Sequence, residues 1–371
     1  MTYVYPIVGN DPEIFITENN KVIPSEKLLR KKSVPVLTDY AAYNWRNSSE
    51  YEVKSDNAAV EFNFPADECL QSVNSGIEAC LYKLKSLYLN QKIHKIRLQA
   101  AMEFSKDDME NYPSMLAFGC SPSLSFYDDV LKISKPVADP RKVRFRSTGY
   151  HVHLGYEKPR TWNQSLYRDE YETSKLLHTT EGRVRLVQIC DLIVGLPSVF
   201  IARDTESVHI RRNVLGYGRA GEFREQRHGF EYRTLGPWPL AHPAWTWWAN
   251  SAVRDALQIV RFNEDERILK RISGREVSDA INANDLKAAL KLWVQVKKQI
   301  ADLVINAPRI NSKHAILGLN NIRMFEFAAT LGGAQPFSFK PWRADTGVKA
   351  GFPAWMTRLV RTKYLDRFMH F

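Results

Sequence analysis

The four cysteines, Cys69, Cys80, Cys120 and Cys190, form no CxxC pair and keep no regular spacing. That argues against a disulfide scaffold and a cysteine zinc site. Cys69, Cys80 and Cys190 fall in apolar helical patterns and read as small core residues. No HExxH motif occurs, which argues against a zinc protease. No GxxxxGK[ST] motif occurs, so any phosphate site is not a P-loop. Internal repeats and low-complexity linkers are absent. The first residues lack the basic start and apolar stretch of a signal peptide. No apolar run approaches the roughly 18 residues that span a bilayer. The expectation is a soluble, cytoplasmic protein in a reducing compartment, with no membrane partner.

What the chain has in excess is positive charge. Its 371 residues carry a net +11. A basic balance favours anionic partners such as nucleotides, phosphorylated substrates, nucleic acid or another anionic polymer. The excess is uneven: Lys340, Arg343, Lys349, Arg358, Arg361, Lys363 and Arg367 face only Asp345 and Asp366 over the last stretch. The hydrophobic share, 44%, is ample for a large core in one elaborated domain or two. The pattern divides into a sheet-rich catalytic region, 1–240, and a helical, basic region, 241–371.

Four short β-rich segments carry polar residues at alternate positions. They are Asp11-Pro12-Glu13, Glu61-Phe62-Asn63, His151-Val152-His153 and Glu231-Tyr232-Arg233. Residues i and i+2 of a strand share a face. Each pair thus projects to one side, and its mostly apolar neighbours can pack on a core. One such pair is ordinary solvent-facing alternation. Four together, combining acid, imidazole and guanidinium, predict a sheet whose polar face is a site.

Around these segments the spacing predicts a hairpin over 11–24, a strand over 58–64 and an amphipathic helix over 67–90. It also predicts strands over 94–104 and 142–156, and a loop-rich stretch over 105–140. A second long helix spans about 181–201, kinked or ended at Gly195-Leu196-Pro197. Residues 202–228, dense in Arg and Gly, read as loop, and helices follow near 241–262 and 284–305.

The residue types point to chemistry. Asp11, Glu13, Glu61 and Glu231 offer hard oxygen ligands suited to Mg²⁺ or Mn²⁺. His151 or His153 suits a metal or a phosphate. Seven arginines lie between Arg203 and Arg233. Guanidinium forks grip phosphate and carboxylate. Gly216, Gly218 and Gly221 would let backbone approach an anion.

These segments resemble the glutamine synthetase-like superfamily. Within it they are most similar to the phage-encoded carboxylate–amine ligases of type 2. The resemblance rests on Asp11-Pro12-Glu13-Ile14-Phe15, on Asp56 to Asn63 (Asp-x-x-x-Val-Glu-x-Asn) and on Gly149-Tyr150-His151-Val152-His153-Leu154-Gly155. It also rests on the loop from Arg212 to Arg224, one residue longer than the family pattern, and on Gly229-Phe230-Glu231-Tyr232-Arg233-Thr234-Leu235. It implies an α+β fold on a curved, mainly antiparallel sheet of glutamine synthetase type. It implies that Asp11, His151 and Glu231 hold one metal, while Glu13 and Glu61 hold another with no clear third acid. It places His153, Arg212, Arg224 and Arg233 against ATP, with Arg219, Arg224, Arg233 and His153 serving the phosphoryl transfer.

The implied function is Mg²⁺- or Mn²⁺-dependent, ATP-driven amide formation through an acyl phosphate. Its partners would be carboxylate and amine substrates, small molecules or peptides, with an anionic polymer or modified nucleic acid as a further acceptor. Two alternatives differ in class: a phosphotransferase of the related guanidino-kinase type, and a basic nucleic-acid-binding protein. The basic tail has its own test. If it docks a polyanion, reversing Arg358, Arg361 and Arg367 to Glu will raise the apparent KM for the acceptor at low salt and spare ATP binding. Unaltered KM or lost folding in steady-state kinetics and thermal melts makes the tail structural.

Overall fold

The computed structural model describes residues 6–29, 51–118, 123–127, 132–133, 139–156, 168–202, 204–306 and 336–342. The tail beyond Trp342, the site of the charge-reversal expectation, lies outside the described residues, as do Arg203 and Cys120. The early strands are β1 (Ile7–Asn10), β2 (Glu13–Glu18), β3 (Lys21–Ile23), β4 (Glu52–Asp56), β5 (Ala59–Asn63), β6 (His94–Arg97) and β7 (Ala101–Glu103). They are followed by β8 (Leu124–Ser125), β9 (Lys132–Ile133), β10 (Phe145–Ser147), β11 (Val152–Gly155), β12 (Glu222–Gln226) and β13 (Gly229–Tyr232).

Every strand pairing described is antiparallel. One sheet runs β1-β11-β13-β12-β8-β9. A second runs β3-β2-β5-β4, with β6 also on β2, and β7 pairs β10 apart from both. The class is mixed α+β with curled antiparallel sheets, as expected. The first hairpin closes at Asn19-Asn20, both left-handed (φ 50° and 68°), with Glu18 opposite Lys21. This is a two-residue turn that suits asparagine.

Alternation sorts the first sheet's side chains. Val152, Leu154, Phe223, Phe230 and Tyr232 are fully buried on its core face. Behind that face pack the Thr180–Cys190 and Pro243–Arg261 helices. Trp238, Trp245 and Trp248 cluster there, with centroids 5.7–6.1 Å apart. The Leu70–Leu87 helix packs on β1, β4 and β5 through its Val73, Ile77, Cys80, Leu81 and Leu84 stripe. A smaller apolar cluster of Phe15, Ala59, Phe104, Met109 and Met115 lies apart from this main core.

Several expectations are corrected. The single strand over 142–156 is two, because the chain changes partners: β10 pairs β7, and β11 pairs β1 and β13. Thr148, Gly149 and Tyr150 cross between them, bonding to Ala100, Glu13 and Leu235. The stretch over 94–104 splits likewise into β6 and β7. The loop over 105–140 contains a helix, Lys106–Asn111, and 202–228 contains Thr205–His209, a π-turn and β12. Both short helices begin at a capping residue: Ser105 accepts from Asp108 N at 3.1 Å and Asp204 from Ser207 N at 3.2 Å. Such caps are the legible signal in segments too short for periodicity. The long helix does not stop at Gly195-Leu196-Pro197. It passes through a π-turn at Asp191–Gly195 and continues to Ile201, with Pro197 in the first turn after the bulge. Among the described residues it is the one helix long and apolar enough to cross a membrane, and 78% of its apolar window is buried inside the protein. It is a core helix. Cys69 is exposed before the Leu70–Leu87 helix rather than buried, while Cys80 and Cys190 are core.

A buried amide pair ties β1 to the Pro243–Arg261 helix. Asn10 and Asn250 exchange two hydrogen bonds of 2.9 Å, and Asn10 Nδ2 also donates to the His151 carbonyl at 3.0 Å. Asn250→Ala will leave the Asn10 amide short of partners. The expected loss is about 1–3 kcal/mol, read from the denaturant midpoint at constant m-value.

Candidate metal centre

The site is built where the chain leaves one sheet for the other. β1 ends at Asn10 and β2 starts at Glu13, so Asp11-Pro12 is the crossing. Pro12 has no N–H to satisfy, and its carbonyl accepts from Phe62 N at 3.0 Å. Glu13 N donates to the Gly149 carbonyl at 2.9 Å, and its Oε2 accepts from Gly149 N at 2.8 Å. Asp11 serves the first sheet and Glu13 the second.

On the first sheet, His153, Glu231 and Arg224 lie directly opposite one another across β11, β13 and β12. Glu231, fully buried, takes Arg224 Nε on Oε2 at 2.6 Å and meets Arg233 Nε with Oε1 at 3.1 Å. Gln226 also donates to Oε2. Asp11 Oδ1 lies 3.0 Å from His151 Nδ1 and 3.1 Å from His153 Nε2, and His151 Nδ1 is 3.7 Å from Glu231 Oε1. Burial opposes the Asp11 charge, but the two imidazoles overcome it and hold its carboxyl well below the usual range. For Glu231, too, burial is outweighed by His153, His151 and Arg233. Burial lowers His151, and it also opposes the charge of His153, but there Asp11 and Glu231 together outweigh it and raise the imidazole.

On the second sheet, Glu13 and Glu61 are directly opposite in register, and Asp56 joins them from β4. One carboxylate oxygen from each lies within 4.8 Å of the others. Like charges so placed repel, and burial adds to the cost. Burial first, then Asp56, Asp11 and Glu61, push Glu13 well above its ordinary value. Burial also lifts Glu61 to about 7 against the partial relief of Lys54, whose Nζ is 2.9 Å away. Without a cation all three acids are shifted toward the protonated form, Asp56 mainly by burial.

Both groups fit divalent cations. Asp11 Oδ1, His151 Nδ1, His153 Nε2 and Glu231 Oε1 turn toward one another, yet all four are buried atoms without a well-formed hydrogen bond. Converging donors left in that state match a ligand set. The trio of Glu13, Asp56 and Glu61 is all oxygen, the donor set of Mg²⁺ or Mn²⁺. Asp56 supplies the third acid that the sequence reading lacked. Its signal was present: with a two-residue turn at Asn57-Ala58, alternation places Lys54, Asp56 and Glu61 on one face.

The structure thus brings Asp11, His151, His153, Glu231, Arg224 and Arg233 together, with Glu13 and Glu61 adjacent. His153 lies against Asp11, among the prospective metal ligands, rather than apart from them. Two expected residues are elsewhere. Arg212 is buried with Nε on the Gly218 carbonyl at 3.0 Å and a second nitrogen on the Ile281 carbonyl at 2.5 Å. Arg219 donates to the Arg212 carbonyl at 2.8 Å. Both guanidinium groups satisfy turn and helix-end carbonyls. Gly218 is left-handed (φ 72°), but it accommodates the Arg211 guanidinium rather than an anion: a Cβ there would stand 2.0 Å from that group. Asn63 is exposed on β5, beyond the acid trio.

Tyr217 was missed as a site residue. Its hydroxyl meets His151 Nε2 at 2.6 Å and accepts from Arg233 Nη2 at 2.8 Å. Its ring lies beneath the guanidinium groups of Arg211 and Arg233 at 4.6 and 4.9 Å. The tyrosine therefore orients an imidazole and an arginine at once.

Residues 165–312 match the model of the family described as phage phiEco32-like COOH.NH2 ligase-type 2. The chain is thus similar to enzymes that form carbon–nitrogen bonds, and the matched family is the one its motifs resemble. The match takes in Arg224, Glu231 and Arg233, whereas Asp11, Glu13, Glu61 and both histidines precede it. No curated protein matches the chain.

The raised proton affinity of Glu61 and Glu13 makes stability depend on pH. Glu61 binds a proton up to about pH 7 in the fold, against an ordinary 4.5, and Glu13 shifts the same way. A folded pKa above the unfolded value gives stability present below the unfolded pKa and lost as pH rises through the folded one. The metal-free protein will therefore lose thermal stability between about pH 4.5 and pH 7–8. Mn²⁺ will raise the melting temperature more at about pH 8 than at about pH 6, because binding must displace those protons. Scanning calorimetry with and without chelator reads both effects, and equal Mn²⁺ shifts at the two pH values would contradict this account.

Proposed function

We propose that this protein is an ATP-dependent carboxylate–amine ligase with a glutamine synthetase-type sheet, acting through an acyl phosphate in the cytoplasm, the host's if it is phage-borne. The observation that carries the reading is the meeting of two cation-ready acid groups at one Asp-Pro-Glu crossing, beside Arg224 and Arg233. The family match supports the same chemistry. ATP and Mg²⁺ or Mn²⁺ are the proposed cofactors; a carboxylate and an amine, small or peptidic, are the proposed substrates.

In this reading Asp11, His151, His153 and Glu231 hold one cation, and Glu13, Asp56 and Glu61 hold another. Bound there, the cations supply positive charge to a triphosphate and withdraw electrons from its terminal phosphorus. Arg224 and Arg233 already lie on Glu231, so they bring cationic hydrogen-bond donors to the same place without large reorganisation. Tyr217 holds Arg233 and His151 in orientation. The substrate carboxylate takes the phosphoryl group, the amine attacks the activated carbonyl, and phosphate leaves. No enzyme nucleophile is needed.

Glu13→Gln and Glu61→Gln test this. A neutral amide replaces a carboxyl that burial already shifts toward its neutral form in the metal-free fold, so both variants are expected to fold. Neither can neutralise a cation, so Mg²⁺-dependent ADP release will fall by about a hundredfold or more. The assay screens mixed amino acids, polyamines, peptides and modified nucleotides, with amide product measured by mass spectrometry. Wild-type turnover in both variants rejects the metal assignment. ADP release with a phosphorylated product and no amide would mark a phosphotransferase.

A further inference from the structure

Among the cations near the site, Lys54 is held differently. Arg233 is fully buried, with nitrogens on Ser123 Oγ at 3.0 Å and Tyr217 Oη at 2.8 Å besides its ion pair with Glu231. Arg224 is set on Glu231 by strand register. Lys54 lies on β4, the end strand of its sheet as described, with its side chain 40% exposed. Among the described residues its ammonium has one ion pair, to Glu61 Oε1 at 2.9 Å, and Glu61 is directly opposite in register. Alternation puts Lys54 on the face that carries Asp56, Glu61 and Glu13, and its charge also senses Asp11 and Glu52. An ammonium on a flexible stem at a sheet edge can swing to solvent at little cost.

A divalent cation bound by Glu13, Asp56 and Glu61 would share the Glu61 carboxylate with the ammonium now 2.9 Å from its Oε1. Two cations a few ångströms apart would also repel. The ammonium and the ion are therefore competitors for Glu61. A triphosphate arriving with the ion brings anionic oxygens to the same opening, and an ammonium is a good point-charge partner for phosphate.

We propose that Lys54 is a displaceable counter-cation: it caps Glu61 until a divalent ion takes its place, and its freed ammonium then binds the phosphate chain of the nucleotide. The second half rests on the ligase reading; the first rests only on the geometry at Glu61. Metal and nucleotide binding are coupled as a result, since nucleotide gives the displaced ammonium a new partner. By linkage the coupling is reciprocal.

The test is calorimetric titration of the full-length protein with MnCl2 alone, then with a non-hydrolysable ATP analogue in the presence of Mn²⁺. Lys54→Met keeps the stem and removes the charge, and Lys54→Arg keeps the charge. Lys54→Met will bind Mn²⁺ alone about fivefold more tightly or better, the effect of one unit charge at about 4 Å even in a watery dielectric. It will bind the nucleotide analogue roughly tenfold more weakly, the scale of a charged hydrogen bond. Lys54→Arg will stay near wild type in Mn²⁺ affinity. The Mn²⁺ gain will vanish when Glu61→Gln is added to Lys54→Met. Unchanged or weaker Mn²⁺ binding in Lys54→Met, a gain that survives Glu61→Gln, or unaltered nucleotide affinity would each overturn the proposal. A wild-type protein that binds no nucleotide strikes instead at the ligase reading, and the metal titration still decides whether Lys54 competes at Glu61.

Discussion

Repulsion among five carboxylates is the constraint around which this site is arranged. Glu13, Asp56, Glu61 and Glu231 come from four strands of two sheets and Asp11 from the crossing between those sheets, which forces them together. The two halves answer the repulsion by different means. Asp11 and Glu231 are ionised by fixed partners, two imidazoles and two guanidinium groups. Glu13 and Glu61 are pushed toward their protonated forms by burial and by the charge of neighbouring acids, and Lys54 pairs with Glu61 in partial relief. One half is therefore electrostatically complete in the fold, and the other is completed by whatever cation replaces its protons.

The first half stays complete because its cations are over-determined. Arg233 is fixed by Glu231, Ser123 and Tyr217, and Tyr217 by the guanidinium groups of Arg211 and Arg233 over its ring. Arg211 caps the carbonyls of Arg233 and Thr234 at 3.0 and 2.9 Å, tying the end of β13 to the π-turn Ile210–Val214. From the core side, Asp191 takes Tyr232 Oη at 2.7 Å and Gly221 N at 2.6 Å. Tyr232 neighbours Glu231 in the chain and points the opposite way. The same strand is thus clamped on its core face while it presents charge on the other. Asp191 itself lies on the π-turn of the long helix, where an extra residue per turn re-aims a side chain.

Much of this was legible in the sequence because strand alternation is a strong constraint. Once Glu231-Tyr232-Arg233 and His151-Val152-His153 are strands, their polar residues must share a side, and the structure pairs His153 with Glu231 in register. Asp56 was less visible, since its place depends on a two-residue turn rather than on its own alternation. Tyr217 was invisible to periodicity because it follows a left-handed glycine in a turn, where no repeat governs direction. Breaks in the predicted strands were hidden for a related reason. A strand that changes partners keeps its extended backbone and its apolar alternation, and only the pairing shifts.

The arginines show where composition misleads. Seven between Arg203 and Arg233 suggested a phosphate-binding loop, yet Arg211, Arg212 and Arg219 spend donors on backbone carbonyls of a tight turn and its neighbours. A glycine-rich turn packed against helix ends exposes many carbonyls away from water, and a guanidinium with five donors satisfies several at once. The arginines that remain at the charged face, Arg224 and Arg233, share one property: each lies on or directly after a strand whose register sets it beside Glu231. Density of positive charge did not separate the two groups. Strand register did, because it fixes which side a guanidinium leaves from before any anion is present.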